Sequence, residues 1–318
     1  MACLTSAAQN SRHGRNGNIV FGTDSCARAV SPFSGTAEGG AHYSNALKAY
    51  KDSLPEVNVY SMIIPIAIQF YCPEEEQGKY SDQRKVIGGM YKQMNGVKGV
   101  DVLSVLEQHT DEEIYARTDH HWLPKGAYYA AKEFARVAGV PFKDLSYYDE
   151  KVVHNFVGTM YKFSGDIRVK NSPEEFVYYT PRDTSYVTTF VSHTPTKTKG
   201  VYTLSKPFQG SFFIKYKDGS PSAYCTFMGG DTRTTHVKAL ARNGRKLLII
   251  KDSFGNAIPG YLFYSFEDIY VTDFRYFQAN IIKYAREKGI TDLLVANNMQ
   301  HAYSKGTSAG LVKMLNKK

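Results

Sequence analysis

Two stretches far apart in the chain together hold an acid, an imidazole and an alcohol. Arg117-Thr118-Asp119-His120-His121-Trp122 sets a carboxylate two residues before an imidazole, and Lys251-Asp252-Ser253-Phe254-Gly255-Asn256 sets a hydroxyl just behind the apolar run Leu247-Leu248-Ile249-Ile250. An Asp reaches a His two residues on when the chain between them is a tight turn, not when it is a flat strand. A hydroxyl is a poor nucleophile until a base takes its proton. In a triad built from these parts, Asp119 fixes the tautomer of His121 and steadies the imidazolium, and His121 draws the proton from Ser253.

The same residue types suit a structural role: Asp119 caps the helix that follows, His120 and His121 are loop residues, and Ser253 caps the helix after its strand. A metal-based reading is also open, because an Asp-His-His triplet binds manganese in a phosphoesterase family. The nearest upstream carboxylate on an expected strand is Asp101, but Gly229-Gly230-Asp231 has no histidine until His236, so the ligand set is incomplete. His120, adjacent to His121, is expected to diverge from it and to pack or bond structurally.

The elements around these stretches decide whether they meet. Residues 18–40 read as loop with one short strand at 19–21. A helix is expected over 42–51, closed by Pro55, then a buried strand over 57–64 ended by Pro65. A helix over 82–95 and a short strand over 100–103 complete a β-α-β unit, the start of a parallel sheet. The Asp/His motif then lies on a loop before an alanine-rich helix that runs to Ala138 and stops at Gly139. Strands at 246–251, 268–272 and 292–296, separated by helices near 256–264 and 277–288, resume the α/β pattern. Between these halves, Tyr, Thr, Val, Phe, Gly and Ser alternate without a long helix signal, so 142–240 reads as a β-rich insertion that wraps the sheet or forms a lid. One α/β domain over 1–318, a parallel sheet flanked by helices, is the economical organisation. Ser253 would sit where a parallel strand ends, the place where such proteins build active sites.

At 318 residues, with 42% hydrophobic and 22% charged, the chain is long enough for a large core. The net charge of +9 comes from scattered basic residues with no arginine-rich helix, which argues against nucleic acid. An acidic polysaccharide or an anionic membrane surface stays compatible with that charge. Tyrosine is frequent, 24 against a single Trp, and suits a wet or carbohydrate-facing cleft as well as a core. The four cysteines show no Cys-x-x-Cys pair and no zinc spacing, and permit zero, one or two disulfides. No stretch reaches membrane-spanning length, and residues 1–18 lack the apolar core of a signal peptide.

The string Tyr115-Ala116-Arg117-Thr118-Asp119-His120-His121-Trp122, followed by Gly126-Ala127-Tyr128, resembles the signature of the DHHW protein family, which is similar to the SGNH-hydrolase-like proteins of alginate O-acetylation. Met228-Gly229-Gly230-Asp231, the run from 247 to 256 and Asp273-Phe274-Arg275-Tyr276-Phe277 extend the likeness over most of the chain from about residue 57. In those relatives the Asp-x-His element precedes the nucleophilic Ser, an order permuted from ordinary SGNH hydrolases, and the same order stands here.

The resemblance implies an SGNH-like α/β fold with Ser253 as nucleophile, His121 as base and Asp119 as its orienter. It also implies oxyanion donors: the Ser253 N–H together with Asn298 or Asn297 after the last strand, since Asp273 stands where ordinary members place a Gly. Arg275, Trp122 and Tyr276 are the candidates for substrate contact, against a salt-bridged Arg275 and a core Trp122. The implied activity is O-acetyl transfer or acetyl-ester hydrolysis on an exported polysaccharide, without a cofactor. The implied setting is extracytoplasmic, beside a membrane acetyl-donor exporter. An SGNH-like scaffold that has lost activity and serves polysaccharide binding or assembly is the alternative from a different class.

Overall fold

A computed structural model describes residues 11–317. Residues 1–10, with Cys3 and the first part of the segment read as lacking a signal peptide, lie outside them, as does residue 318. Among the described cysteines, Cys26 is disulfide-bonded, and Cys72 and Cys225 are free thiols.

Strands β1 (Arg12–His13), β2 (Ile19–Phe21) and β3 (Arg28–Val30) form a small antiparallel sheet. The central sheet starts with β4 (Asn58–Ile64), which stops where Pro65 has no N–H to donate, and β5 (Lys98–Gly99) pairs beside it. Strands β6 (Tyr148–Phe156) and β7 (Glu174–Pro181) make a separate hairpin. Strands β8 (Val187–Pro195), β9 (Tyr202–Leu204), β10 (Phe208–Gln209) and β11 (Arg233–Lys238) follow. Strands β12 (Lys246–Lys251), β13 (Asp268–Asp273) and β14 (Asp292–Asn298) close the series.

In space the large sheet runs β10-β8-β11-β13-β12-β14-β4-β5, with β9 beside β8. From β13 to β5 it is parallel, whereas β11 and β8 add to β13 antiparallel. Leu247 to Ile250 and Leu293 to Ala296 are fully buried, because helices cover both faces of the parallel part; this is why those strands read as unbroken apolar runs. The helices Ala41–Ser53, Gln83–Lys92, Ile281–Lys288 and Lys305–Leu315 pack as one group, and Val102–Glu107 with Pro124–Ala138 as another. The helix Pro124–Ala138 stops where Gly139 turns left-handed at φ 66°.

Two expectations change. The strand expected over 100–103 pairs only at Lys98–Gly99, because Asp101 accepts the Ser104 N–H at 3.1 Å and starts the helix Val102–Glu107. A side-chain cap outweighs strand propensity there. The helix expected after Ser253 is two short 3-10 turns, Ser253–Ala257 and Pro259–Leu262, since Pro259 cannot donate to a continuing helix. Within 142–240, β8 and β11 extend the central sheet, while β6 and β7 form their own hairpin and the short helix Met160–Ser164 bonds the Asp/His loop through the Met160 N–H to the Thr118 carbonyl.

Chain direction sets the site. From β12 the chain moves to β13 on one side, and later to β14 on the other, so the crevice outside the carboxyl end of β12 is a topological switch point. Ser253 follows that end directly.

Candidate active site

The Asp/His loop is a pinched turn. Tyr115 and Trp122 face each other as an isolated antiparallel bridge, and the Ala116 N–H donates to the His121 carbonyl at 3.3 Å. Within the turn Asp119 Oδ1 accepts the His121 backbone N–H at 3.0 Å, which curls the chain until the same oxygen meets His121 Nδ1 at 2.5 Å. His121 Nε2 then lies 2.7 Å from Ser253 Oγ. The structure therefore brings Asp119, His121 and Ser253 into one hydrogen-bonded chain, although 132 residues separate the histidine from the serine. Asp119 is not the cap of the next helix, whose N-cap is Leu123, and the serine turn is capped by Asp252, which accepts the Phe254 N–H.

The turn is held from outside. Both oxygens of the buried Glu174 on β7 take donors from it: the Arg117 N–H at 2.9 Å, the Thr118 N–H at 2.6 Å and the Thr118 hydroxyl at 2.5 Å. Asp119 Oδ2 accepts the Thr159 N–H at 2.7 Å and the Thr159 hydroxyl at 2.8 Å. Burial opposes ionisation of Asp119, but the electrostatic pull of the adjacent His121, the hydrogen bond to its ring, the nearby His120 and the Thr159 N–H outweigh it and hold the carboxyl well below its usual range. Tyr224 lies flat on His121, ring centroids 3.8 Å apart and planes 6° from parallel. Trp122 Nε1 and the Tyr224 hydroxyl both donate to the Phe254 carbonyl at 3.0 Å, which fastens the Asp/His loop to the serine turn.

Gly158 explains how Thr159 comes so close. A Cβ placed there would stand 2.3 Å from Asp119 Cβ and Oδ2. Gly158→Ala must push the carboxylate off His121. In this variant the low-field NMR resonance of the His121 Nδ1 proton is expected to move upfield or broaden away as the 2.5 Å bond to Asp119 lengthens; an unchanged resonance would mean that the loop yields without disturbing Asp119.

A family model described as DHHW protein matches residues 42–272. The chain belongs to the DHHW protein family. A crystal structure of a DHHW family protein from Eubacterium siraeum is similar to it at 36% identity, with a TM-score of 0.87, over 97% of this chain and 99% of that one. Bacillus cereus PatB1 is similar at 17% identity and TM-score 0.70 in the structure with a sulfonyl adduct, over 95% of this chain and 99% of that one. A second PatB1 structure is similar at 18% identity and TM-score 0.68, over 95% and 100%. No curated protein matches the sequence. The fold of this DHHW protein is α/β, with a central sheet flanked by helices, and is like that of PatB1.

The family's implied oxyanion amides are engaged elsewhere in this DHHW protein. Asn298 Nδ2 donates to Asp252 Oδ2 at 3.1 Å, and its oxygen caps the helix Met299–Tyr303. Asn297 is fully buried between the Tyr43 hydroxyl and Asp252. Asp252, also fully buried, must satisfy its charge, and besides the Phe254 N–H it draws both amides, the Asn298 N–H at 2.8 Å and His301 Nδ1 at 2.8 Å. The Ser253 N–H, first in its turn, has no partner among the described residues and is the donor the site offers.

The substrate-contact candidates change too. Trp122 is fully buried, so it packs and cross-links and does not stack on a sugar. Arg275 clamps Asp273 through Nε and Nη2 at 2.8 and 2.6 Å and reaches Asp231 at 2.9 Å; it is a structural salt bridge, joined by Lys251, which contacts Asp231 and Asp273 at 3.1 Å each. Tyr276 is half-buried, and its ring packs against Arg275 and edge-on against Tyr202.

A metal does not fit. Among the described residues, Asp119, His120 and His121 are a group of three whose ligand atoms lie within 4.8 Å of one another. Both Asp119 oxygens, both His121 nitrogens and His120 Nδ1 are already in hydrogen bonds, and Asp101 is a helix cap. Binding an ion would break the chain that organises the loop.

Proposed function

We propose that this DHHW protein is an acyl-ester enzyme acting on carbohydrate, an O-acetyltransferase or acetylesterase of an exported polysaccharide. The observation that carries the reading is the continuous chain from Asp119 Oδ1 through both ring nitrogens of His121 to Ser253 Oγ, at 2.5 and 2.7 Å. An acceptor-only carboxylate fixes the proton on Nδ1 and leaves Nε2 to take the hydroxyl proton. Ser253 Oγ attacks the acetyl carbonyl as its proton passes to His121, and the Ser253 N–H bonds the oxyanion. Collapse breaks the ester bond, the leaving oxygen takes the proton from His121, and acetyl stays on Ser253. An incoming hydroxyl then loses its proton to His121 and attacks the acetyl-serine. A sugar hydroxyl makes the protein a transferase; water makes it an esterase.

The motif likeness to the alginate O-acetylation proteins supports an acetyl group, a polysaccharide acceptor, and an extracytoplasmic site beside a membrane acetyl-donor exporter. A disulfide at Cys26 suits an oxidising compartment, and no helix among the described residues is long and apolar enough to cross a membrane. The test is covalent. After brief exposure to an aryl acetate, mass spectrometry is expected to find acetyl on the peptide that contains Ser253 in the native protein and none there in Ser253→Ala. Absence of acetyl-serine in the native protein would remove the reading.

A further inference from the structure

His120 stands beside the catalytic chain without being part of it. Its ring centroid is 3.7 Å from that of His121, and its Nδ1 lies 2.6 Å from Thr159 Oγ1. Counting protons decides which way that bond runs. The Thr159 hydroxyl has one proton and gives it to Asp119 Oδ2, an ionised carboxylate that only accepts. Thr159 Oγ1 is therefore the acceptor from His120, the ring carries its proton on Nδ1, and Nε2 is left with a free lone pair. Burial and the neighbouring His121 lower the His120 pKa to about 4, so the ring stays neutral near pH 7.

His120 Nε2 has no partner among the described residues, and the side chain is 29% exposed. It borders a cleft of about 20 Å³ walled by Ile66, Ala67, Met160 and Phe254 together with the polar Ser31 and Gln300. The cleft has room for one water or one hydroxyl. A ring nitrogen that offers a lone pair and no proton selects a group that brings its own proton. Resting on the acyl-transfer reading above, we propose that His120 Nε2 accepts a hydrogen bond from a second hydroxyl of the incoming acceptor, a sugar with vicinal hydroxyls, while His121 takes the proton of the attacking one. Two neighbouring imidazoles, one bound to the catalytic acid and one whose proton Thr159 holds on Nδ1, then serve two neighbouring oxygens of one sugar ring. Water and simple alcohols offer no second oxygen for His120 to hold.

The test compares two products of one acetyl-enzyme. With an aryl acetate as donor and methyl glucoside and methanol as competing acceptors, the ratio of sugar ester to methyl acetate is read for the native protein, His120→Asn and His120→Gln. Because both products arise from the same intermediate, damage to acylation cancels from the ratio. An Asn amide can keep the bond to Thr159 but has no acceptor at the far position, and loss of one hydrogen bond lowers the ratio about tenfold. A Gln carbonyl reaches the Nε2 position and should restore most of it. An unchanged ratio in His120→Asn, equal losses in Asn and Gln, or a native protein that passes acetyl to methanol or water but not to the glucoside would each overturn the assignment. Failure to form acetyl-Ser253 at all would instead remove the reading on which it rests.

Discussion

Asp119→Asn is expected to lower kcat/KM for an aryl acetate by about 10⁴-fold, as loss of the correct imidazole tautomer does in a Ser-His-Asp site. Four donors converge on this side chain: the His121 N–H, His121 Nδ1, the Thr159 N–H and the Thr159 hydroxyl. A carboxylate accepts all four, but an amide has one oxygen and one NH₂. If the NH₂ faces His121, the ring must accept on Nδ1 and carry its proton on Nε2, where it can no longer take one from Ser253. If the NH₂ faces Thr159, it opposes a backbone N–H that cannot turn away. Either orientation breaks the chain. Ser253→Ala should cost at least as much, and combining the two should cost no more than Ser253→Ala alone, because residues that act as a unit are not additive. Steady-state kinetics on the three variants, with circular dichroism to confirm folding, makes the comparison. A loss under about tenfold in Asp119→Asn, or multiplicative losses in the double variant, would detach Asp119 from the chemistry.

What could be read from the amino-acid order was the part whose geometry is local. Asp119 and His121 are two residues apart, so one turn decides whether they meet, and the apolar run before Ser253 marks a strand end wherever that strand lies in the sheet. The groups that hold the triad arrive from far away: Thr159 is 40 residues from Asp119, Glu174 is 56 from Thr118, and Tyr224 comes from the loop before β11. Thr, Glu and Tyr are common in any β-rich stretch and carry no local sign of such duty. Asn297 and Asn298 show the reverse case, in which residues of the right type at a strand end are taken by a stronger claimant. Asp252 is buried one residue before Ser253, and a buried carboxylate takes the donors within reach for itself. Trp122 was legible as apolar bulk but not as a fastener, since its indole N–H bonds a carbonyl 132 residues away.

The charge cluster behind the serine turn carries the second large effect. Lys251 ends β12, is 1% exposed, and bonds Asp231 and Asp273 at 3.1 Å each; Arg275 covers the same two carboxylates from the other side. Two cations and two anions balance, and removal of Lys251 leaves a buried excess negative charge. Lys251→Met keeps most of the aliphatic bulk and is expected to destabilise the protein by about 3–5 kcal/mol, the range for stripping one partner from a buried pair. The pH dependence separates charge from packing. Burial raises the Asp231 carboxyl, but Lys251 and Arg275 outweigh it and hold the group well below its usual value. A carboxyl depressed in the folded state contributes stability that is complete above its unfolded value near 3.9 and is lost as pH falls through the lower folded value. Lys251→Met gives up much of that contribution, so the gap between native protein and variant should be widest near pH 7 and narrow as pH falls below about 4. Denaturant unfolding at the two pH values measures the gap; one that stayed constant would assign the loss to packing of the Lys251 stem against Gly255, where a Cβ would already stand 2.4 Å from Lys251 Cβ, and not to the ion cluster.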